Sequence, residues 1–141
     1  MKILAVDYGD TRTGLAVCDE TELLSTPITP QIVEKSMNKV AEQVIAVAME
    51  RKCQQIVVGL PKNMNGSEGP RAELCRSFAA LLESVSGRPV RTWDERLTTV
   101  DAHRILSENR IYGKKRKNTV DAVAASLILE GYLGYRKNRK A

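Results

Sequence analysis

In residues 7–14 the chain reads Asp7-Tyr8-Gly9-Asp10-Thr11-Arg12-Thr13-Gly14. The segment before it, Lys2 to Val6, is short and apolar, and the apolar run resumes as Leu15-Ala16-Val17. Because glycines near both ends let the backbone turn sharply, the pattern predicts a β-hairpin at the start of the fold. Asp7 then ends a buried strand, where an ionised carboxylate needs a cation, a hydrogen-bond donor or water.

The turn alone leaves two interpretations of Asp7 open. Its carboxylate could belong to a metal or phosphate site, or it could accept hydrogen bonds from its own turn, as Asp often does. A Walker-type phosphate loop is excluded. The spacing from Gly9 to Gly14 fits that motif, but Leu15 stands where it requires lysine.

Length and composition set the broad class of the protein. The chain has 141 residues, 43% of them hydrophobic, which predicts one compact domain over residues 1–141. No apolar segment approaches the roughly 20 residues that span a bilayer, and Asp7 interrupts any secretory leader, so we expect no membrane partner and a cytoplasmic location. The three cysteines match neither a zinc spacing nor a disulfide framework, and we expect reduced structural thiols.

Positive charge is concentrated at the C-terminal end. Residues 110–141 hold nine Lys or Arg and two acids, a net charge of +7, so the rest of the chain carries −2 of the total +5. Such segregation is typical of a surface that binds a polyanion. Most of it comes from the basic cluster Lys114, Lys115, Arg116 and Lys117, and from the tail Arg136 to Lys140. The alternative is a solubilising loop and a frayed tail.

Hydrophobic periodicity predicts an α/β fold with a central mixed β-sheet flanked by α-helices. After the hairpin we expect a strand over Leu23–Thr26 that Pro27 and Pro30 end, and a final helix that Asn118 or Thr119 caps. The second helix should bring Leu74, Phe78, Leu81 and Leu82 onto one face. The other expected elements are a helix over 34–52, a strand over 55–60, a helix over 71–86, a strand over 89–93 and a helix that begins near Thr98-Thr99.

Two further acids could join Asp7. Glu95 follows a predicted parallel strand, so it should lie beside Asp7, and Asp121 joins them if its helix crosses the sheet there. Asp94 remains a possible substitute for Glu95. Converging carboxylates repel one another unless a cation is present. Hard oxygen ligands select Mg²⁺ or Mn²⁺, and two such ions can clamp a scissile phosphate, which predicts phosphodiester hydrolysis.

Other chemistries lack the residues they need. The one histidine, His103, lies in a predicted helix, so a Ser-His or Cys-His nucleophile and a zinc site are poorly supported. Aromatic residues make up 4% of the chain, which favours contacts to phosphates over base stacking. The turn-rich segment Pro61 to Pro70 follows a predicted strand, and it is either a binding loop at the sheet edge or an ordinary connection.

Four motifs in order resemble the YqgF family, and the resemblance covers roughly Lys2 to Leu133. They are Asp7-Tyr8-Gly9 with Arg12 and Gly14, Val57-Val58-Gly59-Leu60-Pro61 with Asn65-Gly66 and Gly69-Pro70, Asp94-Glu95-Arg96-Leu97-Thr98-Thr99, and Asp121-Ala122-Val123-Ala124-Ala125. The resemblance implies a ribonuclease H-like fold and a nuclease that matures the 5′ end of pre-16S rRNA, related to Holliday junction resolvases.

The resemblance also implies roles for individual residues. Asp7 would be the first-strand metal ligand, Glu95 the acid of the Asp-Glu-Arg motif and Asp121 the helix acid, all three catalytic. Contacts to phosphate or backbone would come from Arg12, Lys62, Asn65 and Arg71.

Several functions remain compatible with these residues. The first is a metal-dependent nuclease acting on pre-16S rRNA or a ribosomal precursor, with branched DNA as the alternative substrate. A junction resolvase should be a homodimer, whereas a monomer would weaken that branch. A non-catalytic RNA-binding assembly factor is an alternative of another class. The nucleotide-binding half of an actin- or sugar-kinase-like protein is disfavoured, because the chain is too short for the second domain that encloses ATP.

Overall fold

The computed structural model describes residues 1–95 and 113–140, and in the second range it describes the side chains of residues 124–138. The helix predicted near Thr98-Thr99, which contains His103, lies outside these residues. So do the side chains of Asp121 and of the basic cluster.

Five strands form one mixed sheet in the order β3-β2-β1-β4-β5, so the first strand is central. β1 pairs antiparallel with β2 and parallel with β4, and β5 runs parallel to β4. The predicted hairpin and parallel crossovers are therefore confirmed. The carboxyl ends of β1, β4 and β5 meet at one edge, the carboxyl edge. The strands are β1 (Ile3–Asp7), β2 (Arg12–Cys18), β3 (Ser25–Val33), β4 (Gln55–Leu60) and β5 (Val90–Asp94).

The predicted end of the third strand at Pro27 is wrong. β3 runs from Ser25 to Val33 and includes both Pro27 and Pro30. It lies at the edge of the sheet, where a residue without an N–H is tolerated because that side of the strand needs no donor. Leu23 and Leu24 lie in the preceding turn, with 74% and 63% of their surface exposed.

Helices α1 (Met37–Glu50) and α2 (Pro70–Ser86) pack on one face of the sheet. Ser36 caps α1, since its hydroxyl accepts a hydrogen bond from the Lys39 N–H at 3.4 Å. The four residues predicted on one face of α2 are buried to different extents, since Leu74 is 42% exposed whereas Phe78 and Leu82 are fully buried. The buried face of α2 carries Ala72, Cys75, Phe78, Ala79 and Leu82.

Helix α3 (Gly113–Lys140) packs on the opposite face of the sheet. The prediction that Asn118 or Thr119 caps this helix is wrong, since both lie within it. Lys and Arg have high helix propensity, which explains why the helix includes the basic cluster. Within the described ranges, no helix combines the length and the apolar character needed to cross a bilayer.

The three cysteines are free and buried, as predicted for structural thiols. Burial raises the pKa of Cys18 and Cys53, and it raises the pKa of Cys75 to about 11. A thiol with a raised pKa stays protonated and unreactive at neutral pH.

Glu22 ties α3 to the start of the chain. Its carboxylate accepts hydrogen bonds from Arg136 Nε at 2.9 Å and from the Met1 amino group at 3.2 Å. The Glu22 and Arg136 side chains are only 17% and 19% exposed. The hydrogen bond from Arg136 lowers the pKa of Glu22. The Met1 amino group lowers this pKa further, whereas burial acts in the opposite direction.

Glu22→Gln should lower the free energy of unfolding at pH 7 by about 1 kcal/mol. Because the folded-state pKa is depressed, this stabilisation is present above the unfolded value of 4.5 and is lost as pH falls through the folded value. Urea unfolding at pH 7, 5 and 3.5 should therefore show wild type and variant converging at low pH. Glu42→Gln, an exposed site on α1, is the control, and a difference that persists at pH 3.5 would contradict this account.

Candidate active site

The register of the sheet places Asp7 beside Gly59. Val6 of β1 pairs with Val58 of β4, so the next residues along these parallel strands are neighbours. Ile3 and Ala5 pack against α3, and Asp7 follows them in the alternation of a strand, which assigns its side chain to the same face. Asp7 thus ends the central strand at the carboxyl edge, on the face that α3 covers.

Glu95 reaches Asp7 by crossing over Gly59. A Cβ atom at position 59 would lie 2.9 Å from Glu95 Cδ and 2.6 Å from Ile128 Cδ1, so only glycine leaves room for both side chains. The carboxyl groups of Glu95 and Asp7 are hydrogen-bonded to each other. The predicted side-by-side arrangement of these two acids is confirmed.

A hydrogen bond between two carboxyl groups requires a proton on one of them, because two carboxylates are both acceptors. Burial raises the pKa of Glu95, and the charge of Asp94 acts in the same direction. The hydrogen bond with Asp7 and the positive charge of Arg71 oppose this rise. Burial and the charge of Asp94 thus disfavour the ionised form of Glu95, whereas a bound cation would favour it.

The two adjacent acids at the end of β5 differ in position. Asp94 pairs with Leu60 in the β4–β5 register, and Leu60 belongs to the core under α1 and α2. Glu95 is the acid that contacts Asp7 across Gly59. The geometry thus favours Glu95 over Asp94 as the partner of Asp7.

Asp121 lies on α3, and the course of that helix gives its position. Ile128 packs over Gly59 at the carboxyl edge, whereas Arg136 reaches Glu22 at the opposite edge. Asp121 precedes Ile128 by two turns, or roughly 10 Å along the helix axis. Its backbone is therefore in the half of α3 that points toward the carboxyl edge.

Gly9 shapes the loop that follows Asp7. A Cβ at this position would come within 2.0 Å of the Arg12 carbonyl oxygen, a backbone atom that cannot give way. The Gly9 N–H donates to Thr13 Oγ1 at 3.3 Å, and Thr13 is fully buried. The loop is closely packed, so the backbone that carries Asp7 is held in place.

Arg71 anchors the same loop from the first turn of α2. Its Nη1 donates to Asp10 Oδ1 at 2.6 Å, and its Nη2 donates to the Tyr8 carbonyl. The guanidinium lies 5.9 Å from the centre of the Tyr8 ring, within the range of a cation–π contact. Arg71 was predicted as a phosphate contact; in the structure it makes these loop contacts while its side chain stays 39% exposed.

The other residues predicted to contact phosphate lie near the carboxyl edge of the sheet and differ in their hydrogen bonding and burial. Asn65 Oδ1 accepts from the Ser67 N–H at 3.0 Å and from Ser67 Oγ at 2.6 Å, so it shapes its own loop. Lys62 lies two residues after the end of β4 and is half-buried, and Arg12 begins β2. Within the described ranges, neither Lys62 nor Arg12 forms an ion pair.

The donor set of the acid pair fits a hard divalent cation. Among the described residues no group of three or more His, Cys, Asp or Glu side chains could hold a metal. Within the described part of the chain, Asp7 and Glu95 are therefore the two carboxyl groups available as ligands at this site. Mg²⁺ is commonly bound by one or two carboxylates, with water and substrate phosphates completing its shell. A cation would also offset the repulsion between two ionised carboxylates.

Sequence reasoning missed the roles of Gly59 and Asp10. Gly59 interrupts an otherwise apolar strand, and an isolated glycine in a strand is a known sign of close approach by another group. That signal was available in the sequence. The pairing of Asp10 with Arg71 spans 61 residues of sequence, and no local pattern predicts it.

Comparison with known proteins identifies relatives along nearly the whole chain. A protein from Halothermothrix orenii, provisionally named a pre-16S rRNA nuclease, is 43% identical over 136 residues, which cover 96% of each chain. A protein of the same name from Carboxydothermus hydrogenoformans is 41% identical, and the match covers 96% of this chain and 98% of the relative.

Solved resolvases share the fold. Thermus thermophilus RuvC in complex with a Holliday junction substrate matches with a TM-score of 0.58 at 17% identity, over 95% of this chain and 96% of the other. The fowlpox virus resolvase bound to Holliday junction DNA matches with a TM-score of 0.52 at 15% identity, over 96% and 98%. These likenesses confirm the predicted ribonuclease H-like fold.

The sequence profile of one family, described as RuvX: Holliday junction resolvase, matches residues 1–135. Together with relatives more than 40% identical over almost their full length, this match confirms the family resemblance read from the four motifs, and this chain belongs to the RuvX family.

Proposed function

We propose that residues 1–141 form one nuclease domain that hydrolyses phosphodiester bonds of nucleic acid with bound Mg²⁺ or Mn²⁺. The observation that carries the proposal is the Asp7–Glu95 pair, two hydrogen-bonded carboxyl groups at the carboxyl edge of the sheet. Asp121 would complete the ligand set from α3. Membership of a resolvase family supports the same chemistry.

Each residue has a physical task in this scheme. Asp7, Glu95 and Asp121 would hold the divalent ions. When bound, such ions supply Lewis-acid stabilisation of the phosphoryl oxygens and lower the pKa of the attacking water. Gly59 and Ile128 help to align Glu95, because its side chain packs over the glycine next to Ile128 Cδ1.

Positive side chains near the edge would hold the phosphates that flank the cleaved bond. Lys62 and Arg12 are suited to this role, because neither forms an ion pair with a described acid. The basic cluster, on the same helix as Asp121, would extend the contact. Such contacts give affinity that is independent of base sequence and that falls steeply with salt.

The substrate we propose is the 5′ end of pre-16S rRNA, processed in the cytoplasm. The support is the provisional name of relatives that align over 96% of this chain at more than 40% identity. A four-way DNA junction is the second candidate substrate, because the family description names Holliday junction resolvase. In that case a homodimer would be needed to cut two symmetric strands.

One cleavage assay separates these substrates. The protein is incubated with 5′-extended 16S rRNA precursor and, separately, with a four-way DNA junction, in Mg²⁺, Mn²⁺ or chelator. Asp7→Asn tests the site, and Asp19→Asn, an exposed acid in the β2–β3 turn, is the control with the same charge change.

We expect metal-dependent cleavage of the RNA precursor that Asp7→Asn abolishes and Asp19→Asn retains. Cleavage of the junction alone would select the resolvase function. If neither substrate is cut while wild type and Asp7→Asn bind RNA equally, the nuclease proposal fails and an RNA-binding assembly role replaces it.

A further inference from the structure

A cavity of about 440 Å³ lies between β4, β5 and α3, on the same face of the sheet as the acid pair. It begins at Gln55, the first residue of β4, whereas Gly59 marks the acid pair near the other end of that strand. Four residues of strand separate these positions by roughly 13 Å. The lining includes Gln55, Arg91, Trp93, Tyr132, Tyr135 and Arg136.

Aromatic side chains form one wall of the cavity. The Trp93 ring centre lies 6.2 Å from that of Tyr132 and 5.8 Å from that of Tyr135, and the two tyrosines are 6.4 Å apart. Three of the six aromatic residues in the chain thus meet here. The low overall aromatic content argued against base stacking, but an average over the chain does not reveal this local concentration.

Two buried polar atoms at the cavity have no hydrogen-bond partner, Gln55 Oε1 and Trp93 Nε1. Gln55 is only 5% exposed, so its amide oxygen is withdrawn from bulk water. Leaving a buried acceptor unsatisfied costs the desolvation free energy of that group. A ligand group that donates a hydrogen bond to Gln55 would recover that cost.

Glycine makes room for the indole that forms the wall. A Cβ at position 131 would lie 2.8 Å from Trp93 Nε1, so the ring rests directly against the α3 backbone. The indole is therefore held in a fixed place, which reduces the entropy that a stacking ligand must otherwise offset.

The charge at the cavity favours an anionic ligand. Arg91 is exposed and forms no ion pair with a described residue. Arg136 is already tied to Glu22, so Arg91 supplies the available cation. None of the described side chains that line the cavity is acidic.

We propose that this cavity binds a nucleobase of single-stranded nucleic acid, with the base against the Trp93–Tyr135 wall, a base N–H donating to Gln55 and a flanking phosphate on Arg91. A planar ring with hydrogen-bond donors and an attached anion matches each of these features. Base–aromatic stacking tolerates any base, because every base has a π-face.

The position of the pocket connects it to the acid pair. Trp93 pairs with Gly59 in the β4–β5 register, and β5 leads on to Glu95 two residues later. A single-stranded nucleic acid whose backbone passes the acid pair could therefore place one of its bases in this cavity. This connection rests on the proposed nuclease function, whereas binding of the base does not.

Trp93 is the only tryptophan of the chain, so its fluorescence reports on this pocket alone. The probes are eight-nucleotide single-stranded RNA and DNA and an abasic strand of equal length, titrated in chelator to prevent cleavage. We expect both base-containing strands to quench the fluorescence and the abasic strand to leave it nearly unchanged. Stronger quenching by the RNA strand or by the DNA strand would show which of the two nucleic acids the pocket prefers.

Variants test the pocket residues directly. Tyr135→Ala, at a position 45% exposed, should weaken binding about tenfold, and Arg91→Ala should weaken it similarly. Arg51→Ala, at the C-terminal end of α1 on the other face of the sheet, is the control with the same charge change and should have little effect. The proposal is overturned if abasic and base-containing strands quench equally, if no strand quenches, or if Tyr135→Ala binds as wild type does.

The outcome is separate from that of the cleavage assay, because the fluorescence is measured without metal. Base-dependent quenching in a protein that cuts nothing would reject the nuclease function and retain the pocket. Cleavage without base-dependent quenching would retain the nuclease function and reject the base-binding pocket.

Discussion

Glu95→Gln is expected to lower metal-dependent cleavage by at least about a thousandfold, the equivalent of roughly 4 kcal/mol of transition-state stabilisation. The amide keeps the volume of the carboxyl group over Gly59 and can still hydrogen-bond to Asp7. It removes the charge that a hard cation requires. The variant should therefore remain folded, with a melting temperature close to that of wild type, and should lose affinity for Mn²⁺.

The control for this variant is Glu42→Gln, the same chemical change at an exposed position of α1. It should retain wild-type cleavage and Mn²⁺ affinity. Initial rates under single-turnover conditions give the comparison, with circular dichroism melting as the check on folding. Cleavage by Glu95→Gln within tenfold of wild type would mean that Glu95 is not a metal ligand.

Gly59→Ala is expected to lower cleavage about a hundredfold, because a displacement of the order of 1 Å at a catalytic group costs about that much. The added Cβ would overlap Ile128 Cδ1 at 2.6 Å and Glu95 Cδ at 2.9 Å, so at least one side chain must move. The overlap should also lower the free energy of unfolding by roughly 1–3 kcal/mol. Activity is measured well below the melting temperature, so that unfolding does not contribute.

A double variant separates the two overlaps. Ile128→Val removes Cδ1, so Gly59→Ala combined with Ile128→Val should recover much of the lost stability while cleavage stays low. Gly134→Ala, in α3 with no atom within 4 Å of the added Cβ, is the glycine control and should raise stability by up to about 1 kcal/mol. Full recovery of cleavage in the double variant would show that Gly59 does not position Glu95.

Local patterns predicted most of the sheet. Gly9 and Gly14 marked the hairpin, and the apolar run of β4 marked a buried parallel strand, because both signals lie within a few residues. The third strand was misread at Pro27, since proline tolerance depends on whether the strand lies at an edge, a property of the whole sheet. The start of α3 was misread because Asn118 is a good cap in isolation but can also lie within a helix.

The candidate site was predictable only in part. Asp7 and Glu95 each follow an apolar strand, and parallel strands bring their ends together, so their proximity followed from topology. The side chain of Glu95 crosses over Gly59 next to Ile128. These three residues are distant in sequence, so no local pattern predicts that they meet. The cavity at Trp93 was missed for the same reason, since its aromatic walls come from β5 and α3.

The central claim is that Asp7 and Glu95 hold a divalent cation. An anomalous difference map from crystals soaked in Mn²⁺ tests it most directly. We predict a peak within coordination distance of carboxylate oxygens of both residues. The claim would be contradicted by a map in which Mn²⁺ occupies other positions, or none, while Asp7 and Glu95 remain hydrogen-bonded to each other.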